Sequence, residues 1–423
     1  MTQPGRQHNS AVVASFLGWT IDAFDFFLLV FVLGDIARQF DSSVAVVSWA
    51  LTLTLGLRVI GALLFGRLAD RYGRKPVLIA NVLTFSVLEC ATGFAPTLTA
   101  FLVLRALFGI AMGGEWGVAS SLTMESIPAH WRGFVSGLLQ SGYSCGYLLA
   151  ALLYAVGFEV LGWRGLFIVT ILPALLVLYI RSHVSESPAW TRPDVRDRSA
   201  PATQKLNPPR NIGRYLYAIA LMAAAATFSH GTQDLYPTFL RIQHGFSVHQ
   251  VSSIAIVYNV GAILGCLTGG TLSQRLGRRR GIVLAALLGV ALMPFWAIAS
   301  APAALAGTAF CMQFLVQCMF GTMPAHLNEI SPPEARATFP GFTYQFGNFL
   351  AAGNATLQVV LANKLGGDYG VGMALMAGAG AVVLALLAAF GPEAKGIQMR
   401  GDDDGDFPRA EIKKLLGQGT QVR

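Results

Sequence analysis

The sequence predicts an all-α membrane protein of twelve transmembrane helices in two pseudo-symmetric six-helix bundles, and three observations carry the prediction. Of the 423 residues, 54% are hydrophobic and only 12% charged, about half the charge of an ordinary soluble domain. Apolar stretches of about 20 residues recur along nearly the whole chain, the length a helix needs to cross ~30 Å of hydrocarbon. The two halves also repeat one another at a constant offset of 204 residues. Alternating ten-residue segments, the mark of a membrane barrel, are missing, whereas helices satisfy their backbone hydrogen bonds within each span.

The first expected span, 11–34, follows a short polar N-terminus. It holds two aspartates and no small-residue cleavage site, so it reads as a retained helix and not a signal peptide. Further spans are expected at 45–66, 77–95, 98–123, 133–157 and 163–181. A polar stretch rich in Pro, Arg and Ser runs from Arg181 to Arg214, and beyond it come 213–240, 250–272, 281–300, 302–325, 337–361 and 370–391. The expected organisation is an N-terminal bundle (1–181), a cytoplasmic linker (182–212), a C-terminal bundle (213–392) and a cytoplasmic tail (393–423). The tail carries Asp402-Asp403-Asp404 and a short basic stretch compatible with a surface helix.

With loops assigned alternately to the two sides, 24 of the 30 lysines and arginines share the side of the N-terminus, 4 lie opposite, and Arg58 and Arg105 fall inside spans. The positive-inside rule then puts both termini in the cytoplasm. This asymmetry accounts for the net charge of +8 without a nucleic-acid partner. Cys90, Cys145, Cys266, Cys311 and Cys318 sit in apolar segments without metal-ligand spacing. No nucleophile–base constellation, metal motif or phosphate loop suggests an enzyme.

The internal repeat is specific. Gly66-Arg-Leu-Ala-Asp70-Arg71-Tyr-Gly73-Arg74-Lys75 after the second span recurs as Gly270-Thr-Leu-Ser-Gln274-Arg275-Leu-Gly277-Arg278-Arg279 after the eighth, and Glu125 with Arg132 recurs as Glu329 with Arg336. A duplicated six-helix unit suits two halves rocking about a central site. The first segment matches G-x-x-x-D-R-x-G-R-R/K, so the chain resembles the major facilitator superfamily over essentially its whole length. The resemblance implies the major facilitator fold. It implies gating roles for Asp70, Arg71 and Arg74, with Glu125, Arg132, Glu329 and Arg336 at the same gate, and a weaker second lock because Gln274 replaces the aspartate. The alternative is a merely topogenic cluster of positive charge.

Ionisable residues at membrane depth are functional candidates by default. Asp22 and Asp25 are three apart and share a helix face. Two such carboxylates cannot easily both stay ionised in low dielectric, which suits proton pickup; ordinary solvated aspartates are the alternative. Their D-x-F-D pattern resembles the start of the metabolite, aromatic-acid and sialate proton symporters. In the fourth span Gly109 and Gly113 permit close packing. Arg105 resembles the arginine that many proton-coupled members carry there, with Glu115 and Glu125, ten and twenty residues on, as its candidate carboxylate partners. A structural ion pair is the other reading of Arg105.

The seventh span reads Ser229-His230-Gly231-Thr232-Gln233-Asp234 and continues to Thr238. His230 and Asp234 stack four apart on one face, as do Ser229 and Gln233, giving a proton-sharing pair beside two hydrogen-bonding side chains; a buried pair that only fixes helix packing is the alternative. The segment resembles the signature N-x-x-[S/T]-H-x-[S/T]-Q-D-x-x-x-T of the Jen-type lactate and pyruvate permeases, within the sialate:proton symporter family. Ala226 in place of the leading Asn departs from it. Arg58, in the second span, has a planar fork that fits a carboxylate, and the resemblance also implies a substrate role there. A permanent salt bridge to Asp22, Asp25 or Asp234 is the alternative. Asn259, Tyr344, Gln345 and Asn348 add polar groups to spans eight and eleven.

These readings together imply proton-coupled symport of a small monocarboxylate of the lactate or pyruvate type. The proton is the coupling ion, with no further cofactor. The expected setting is a functional monomer in the lipid bilayer of a bacterial inner membrane. A sialic acid or other sugar acid is the alternative substrate, an aromatic or dicarboxylic acid the next. A uniporter is the alternative mode, and a non-transporting membrane sensor the alternative of another class.

Overall fold

The computed structural model describes residues 4–190, 208–397 and 399. The described residues are helical almost throughout and contain no strand. Most of the linker between Arg181 and Arg214, and the tail residues Asp402 to Asp404, lie outside the described residues.

Spans one to four are single helices, Pro4–Gln39, Trp49–Tyr72, Arg74–Gly93 and Leu98–Ser126. Spans five and six join in one long helix, Arg132–Val169, broken only at Gly162, whose φ of 58° and ψ of 178° suit glycine alone. Span six finishes with Leu175–His183. Span seven runs Pro208–Gln233, stops at Asp234 and resumes as Tyr236–Ile242 with Pro237 in its first turn. Spans eight and nine are Val248–Leu276 and Arg278–Ile298. The tenth comprises Pro302–Phe320 and Met323–Glu329, the eleventh Thr338–Leu350 and Asn354–Lys364, and the twelfth is Tyr369–Phe390. Ten helices among the described residues are individually long and apolar enough to cross a membrane. Twelve spans are reached because the fifth and sixth share one helix and the eleventh is broken in the middle. The expected spans overlap these helices, with ends displaced by several residues, because hydropathy does not detect a polar first or last turn.

Large apolar side chains such as Phe295, Ile298 and Phe390 stand exposed on the outer surface, where lipid is the solvent. Inside, charged and amide side chains are buried. The expected close contact in span four is made against span two. A Cβ added to Gly109 would lie 2.7 Å from Thr54 Cα, and one added to Gly113 would lie 2.5 Å from Arg58 Cα. Backbone contact at Gly113 therefore fixes where Arg58 emerges.

Candidate functional site

Two constellations emerge, one at the signature loops and one at mid-depth. Each signature loop turns at a glycine with positive φ, Gly73 (104°) and Gly277 (97°), a conformation that L side chains rarely adopt. The turn delivers Arg74 and Arg278 into equivalent forks. Arg74 Nε and Nη2 donate to the two oxygens of Glu125 at 3.2 and 3.0 Å, and Arg278 Nε and Nη2 donate to those of Glu329 at 2.9 and 3.0 Å. Arg74 also lies 3.3 Å from Asp70.

A second pair of carboxylates caps the helices these arginines begin. Glu186 accepts from the backbone N–H of Arg74 (2.9 Å) and Lys75 (3.1 Å), and Glu393 from those of Arg278 (3.2 Å) and Arg279 (3.1 Å). Negative charge at a helix N-terminus is stabilising. Burial pushes the Glu186 carboxyl above its ordinary range, and its backbone hydrogen bonds and Arg74 pull the other way. Neither glutamate stands out in the sequence, because their offset is 207 and the repeat is at 204. A methyl group at Gly73 would strike the Glu186 carboxylate. Gly73→Ala is therefore expected to cost roughly 1–3 kcal/mol from the backbone alone, read as a lower thermal midpoint of the purified protein.

The other expected gating residues divide. Asp70 accepts from Ala337 N (2.9 Å), Thr338 N (3.0 Å) and Thr338 Oγ1 (2.7 Å), capping span eleven. Gln274 does the same for span five, accepting from Gly133 N at 3.0 Å and donating to Ala129 O at 3.1 Å. The amide thus bonds the helix end directly. Arg132 donates to Met124 O at 3.1 Å and approaches Glu329 at 3.9 Å, and Arg336 donates to Met399 O at 3.1 Å. Arg71 stands exposed outside the cluster, its guanidinium 5.1 Å from the Tyr72 ring. Further in, Ser136 donates to Gly321 O (2.7 Å), Asn328 to Ser120 Oγ (3.3 Å), and a Cβ on Gly117 would sit 2.6 Å from Gly341 Cα. On this signature face the chain is closed.

At mid-depth Arg58 Nη2 donates to Asp22 Oδ2 at 3.0 Å, and its guanidinium lies 5.9 Å from the Trp19 ring. The pair has one contact point, leaving Asp22 Oδ1 and Arg58 Nε without partners among the described residues. Of the partners open to Arg58 in the sequence, Asp22 is the one observed. Around it stand aromatic rings: Trp116 stacks on Tyr344 with centroids 4.0 Å apart, Trp19 packs on Tyr143 at 5.7 Å, and Gln140 links Trp116 Nε1 to the Tyr344 hydroxyl. Glu115 is fully buried with both oxygens unpartnered, within electrostatic reach of Asp22 and Arg58. Gly18 leaves the space it occupies.

Arg105 pairs with neither Glu115 nor Glu125. Its Nη2 donates to Glu89 of span three, and to Thr92 Oγ1 at 2.9 Å. The partner lies 16 residues earlier on another helix, nearer in sequence than Glu125 though farther than Glu115. Glu89 had a usable signal, an acidic residue inside an apolar span. Trp19, Trp116 and Gln140 had none, because aromatic and amide groups also serve plain packing.

From the other half, His230 Nδ1 and Asp234 Oδ1 are 3.1 Å apart, each side chain about one-third exposed. The pair lies where the first helix of span seven ends, at Gln233. Gln233 donates to Ser229 Oγ at 3.2 Å, and Gln313 to Thr232 Oγ1 at 3.2 Å. Asp234 is within electrostatic reach of Tyr143 and Tyr258, and Tyr143 is also within reach of Arg58. Gln345 Nε2 is buried without a partner. Asn259 and Asn348 donate to their own helices, at Ala255 O (2.9 Å) and Tyr344 O (2.8 Å). Ala226 is fully buried.

A repeated helical unit, matching arginine–glutamate forks at the repeated loops and charge buried among apolar spans are the features of a multi-pass membrane transporter, not an enzyme. The profile of the Major Facilitator Superfamily matches residues 15–353 and, in a second overlapping match, 221–419, and the chain belongs to that superfamily. It is 31% identical over 373 residues to a carboxylic acid transporter protein homolog of Saccharomyces cerevisiae, covering 82% of this chain but 60% of the yeast protein. It is 28% identical over 367 residues to the sialic acid transporter NanX of Escherichia coli, covering 86% of this chain and 89% of NanX. The structure of the proton:xylose symporter XylE superposes with a TM-score of 0.74 at 16% identity, covering 94% of this chain and 98% of that one. This last likeness concerns the fold.

Proposed function

We propose that the chain carries a small monocarboxylate, of the lactate or pyruvate type, together with a proton, by alternating access of residues 1–181 and 213–392 about the central site. The observation that carries this reading is the buried, single-point pair of Arg58 and Asp22. A guanidinium fork takes a carboxylate best through two bonds, and Arg58 has one. A proton arriving from water on the face opposite the signature loops neutralises Asp22 and releases Arg58. The substrate carboxylate then takes the fork. After the halves rock, Asp22 gives its proton to water on the signature side and reclaims Arg58, expelling the substrate.

Charge explains the coupling. An anion crossing alone opposes an inside-negative potential by ~2.3 kcal/mol per 100 mV, whereas an anion with one proton is electrically silent. Asp25, Glu115 and the His230–Asp234 pair supply further proton positions. Ser229 and Gln233 supply hydrogen bonds, and Trp19 and Tyr143 an apolar wall. The protein works as a monomer in a bacterial inner membrane with both termini in the cytoplasm.

Sialic acid or another sugar acid is the second reading, favoured by the likeness to NanX. Radiolabelled lactate uptake into proteoliposomes, at fixed potential with and without an inward proton gradient, separates them. Gradient-driven lactate uptake lost in Asp234→Asn supports the first reading. Lactate that neither enters nor competes, while sialic acid enters, overturns it in favour of the second.

A further inference from the structure

The buried ion pairs of this protein are of two kinds. The forks at the signature loops, Arg74–Glu125 and Arg278–Glu329, use both carboxylate oxygens and two guanidinium nitrogens. Such pairs are fully compensated and suited to permanence. The Arg105–Glu89 pair is equally buried, both side chains being fully inaccessible, yet it uses one oxygen and one nitrogen. Glu89 Oε1 and Arg105 Nε and Nη1 have no partner among the described residues. The guanidinium faces Phe108 and Phe167, 4.3 and 5.2 Å from the ring centres.

The unused half of this pair has a neighbour. Asp25 is fully buried with both oxygens unpartnered, and it lies within electrostatic reach of Glu89, Asp22 and Arg105. Charge counting sharpens the point. Among the described residues, Asp22, Asp25, Glu89 and Glu115 share this interior with two guanidiniums, Arg58 and Arg105. An isolated ionised carboxylate in such a setting is too costly to persist, and it neutralises instead. Among the described residues the charged groups in reach of Glu89 are Arg105 of the fourth span and Asp22 and Asp25 of the first. Arg164 of the sixth is held instead at the Gly93 and Ala95 carbonyls. Cys90 is its own-helix neighbour.

We propose that Glu89 is a second proton-carrying residue of this transporter, sharing the single guanidinium of Arg105 with Asp25. When Arg105 holds Glu89, Asp25 keeps a proton. When Asp25 releases that proton to water, it takes Arg105 through the free nitrogens, and Glu89 takes up a proton from water in turn. Arg105 is thus a switch between carboxylates on spans one and three. The inference rests on the proton-coupled reading above, but its test needs no substrate.

Infrared difference spectra of the purified protein in lipid, recorded across a pH step, report protonated buried carboxyls through their C=O stretch. Wild type is expected to show such a band, Glu89→Gln to lose one component of it, and Asp25→Asn to shift the component assigned to Glu89. If Glu89→Gln does not fold, Glu89→Asp keeps a carboxyl at a new distance and is expected to move the component. A band unmoved by the folded variant overturns the proposal. So does a wild-type band in which isotope labelling of glutamate carboxyls shifts nothing. Lactate uptake by wild type is measured in parallel. A band component that Glu89→Gln removes, found without lactate uptake, sinks the substrate reading and leaves Glu89 standing.

Discussion

Arg58→Ala is expected to lower carboxylate uptake at least ~100-fold while leaving the protein folded. Each charge-assisted hydrogen bond contributes ~1.5–3 kcal/mol, so losing two from a fork costs upward of about 3 kcal/mol, a factor on the order of 100 in binding. Folding is spared more than at other buried arginines, because Arg58 has only one ionic contact and Asp22 can be left protonated. Arg58→Lys keeps the charge and loses the planar fork, and is expected to recover only a small part of the loss. Asp22→Asn makes the complementary point. In wild type, ionised Asp22 competes with substrate for Arg58, so lactate exchange falls as pH rises. Asparagine removes the competitor, and the profile flattens. A substrate affinity unchanged in Arg58→Ala, or a pH profile unchanged in Asp22→Asn, sinks the shared-guanidinium account.

Glu125→Ala is expected to produce the largest loss of stability, ~3–5 kcal/mol, by taking from buried Arg74 its two-bond carboxylate and leaving it Asp70 at 3.3 Å alone. Arg74 is almost inaccessible, and both of its bonds to Glu125 are direct. The effect is read from thermal unfolding of the purified protein. The double replacement Arg74→Met with Glu125→Leu removes both charges together and is expected to restore most of the loss, because an apolar pair of similar volume carries no desolvation penalty. If the double variant is no more stable than Glu125→Ala, the cost lies in packing and not in the orphaned charge. Opening of the signature face accompanies the single substitution, since Asp70 on the same fork holds the start of span eleven. A cysteine placed at Ser136, in that interface, is expected to become reactive toward a maleimide in Glu125→Ala and to stay protected in the parent.

The sequence made the helices legible because lipid imposes one rule on every span, and it made the repeat legible because Gly66–Lys75 and Gly270–Arg279 kept their spacing. Residues within one turn are legible as neighbours: His230 with Asp234, Ser229 with Gln233. Contacts between helices were a different matter. Nothing in the sequence ties Arg105 to Glu89 rather than to Glu115, since the choice depends on how spans three and four rotate against one another. Glu186 and Glu393 escaped because they follow their bundles at a spacing that does not match the repeat. Glutamine at position 274 departs from the signature aspartate, and its role at the end of span five was not legible: its amide both donates and accepts, and a helix end offers both kinds of group. The aromatic floor of Trp19, Trp116 and Tyr344 is assembled from spans one, four and eleven, and no linear pattern announces it.

The most direct test of the coupling claim is proton movement itself. Proteoliposomes enclosing a pH-sensitive dye, with no imposed gradient and the potential clamped, receive external lactate. Symport requires that the interior acidify as lactate enters, in wild type and not in Arg58→Ala. Lactate entry with no change in internal pH, beyond that seen in protein-free vesicles, would contradict it and leave a carrier that moves the anion alone.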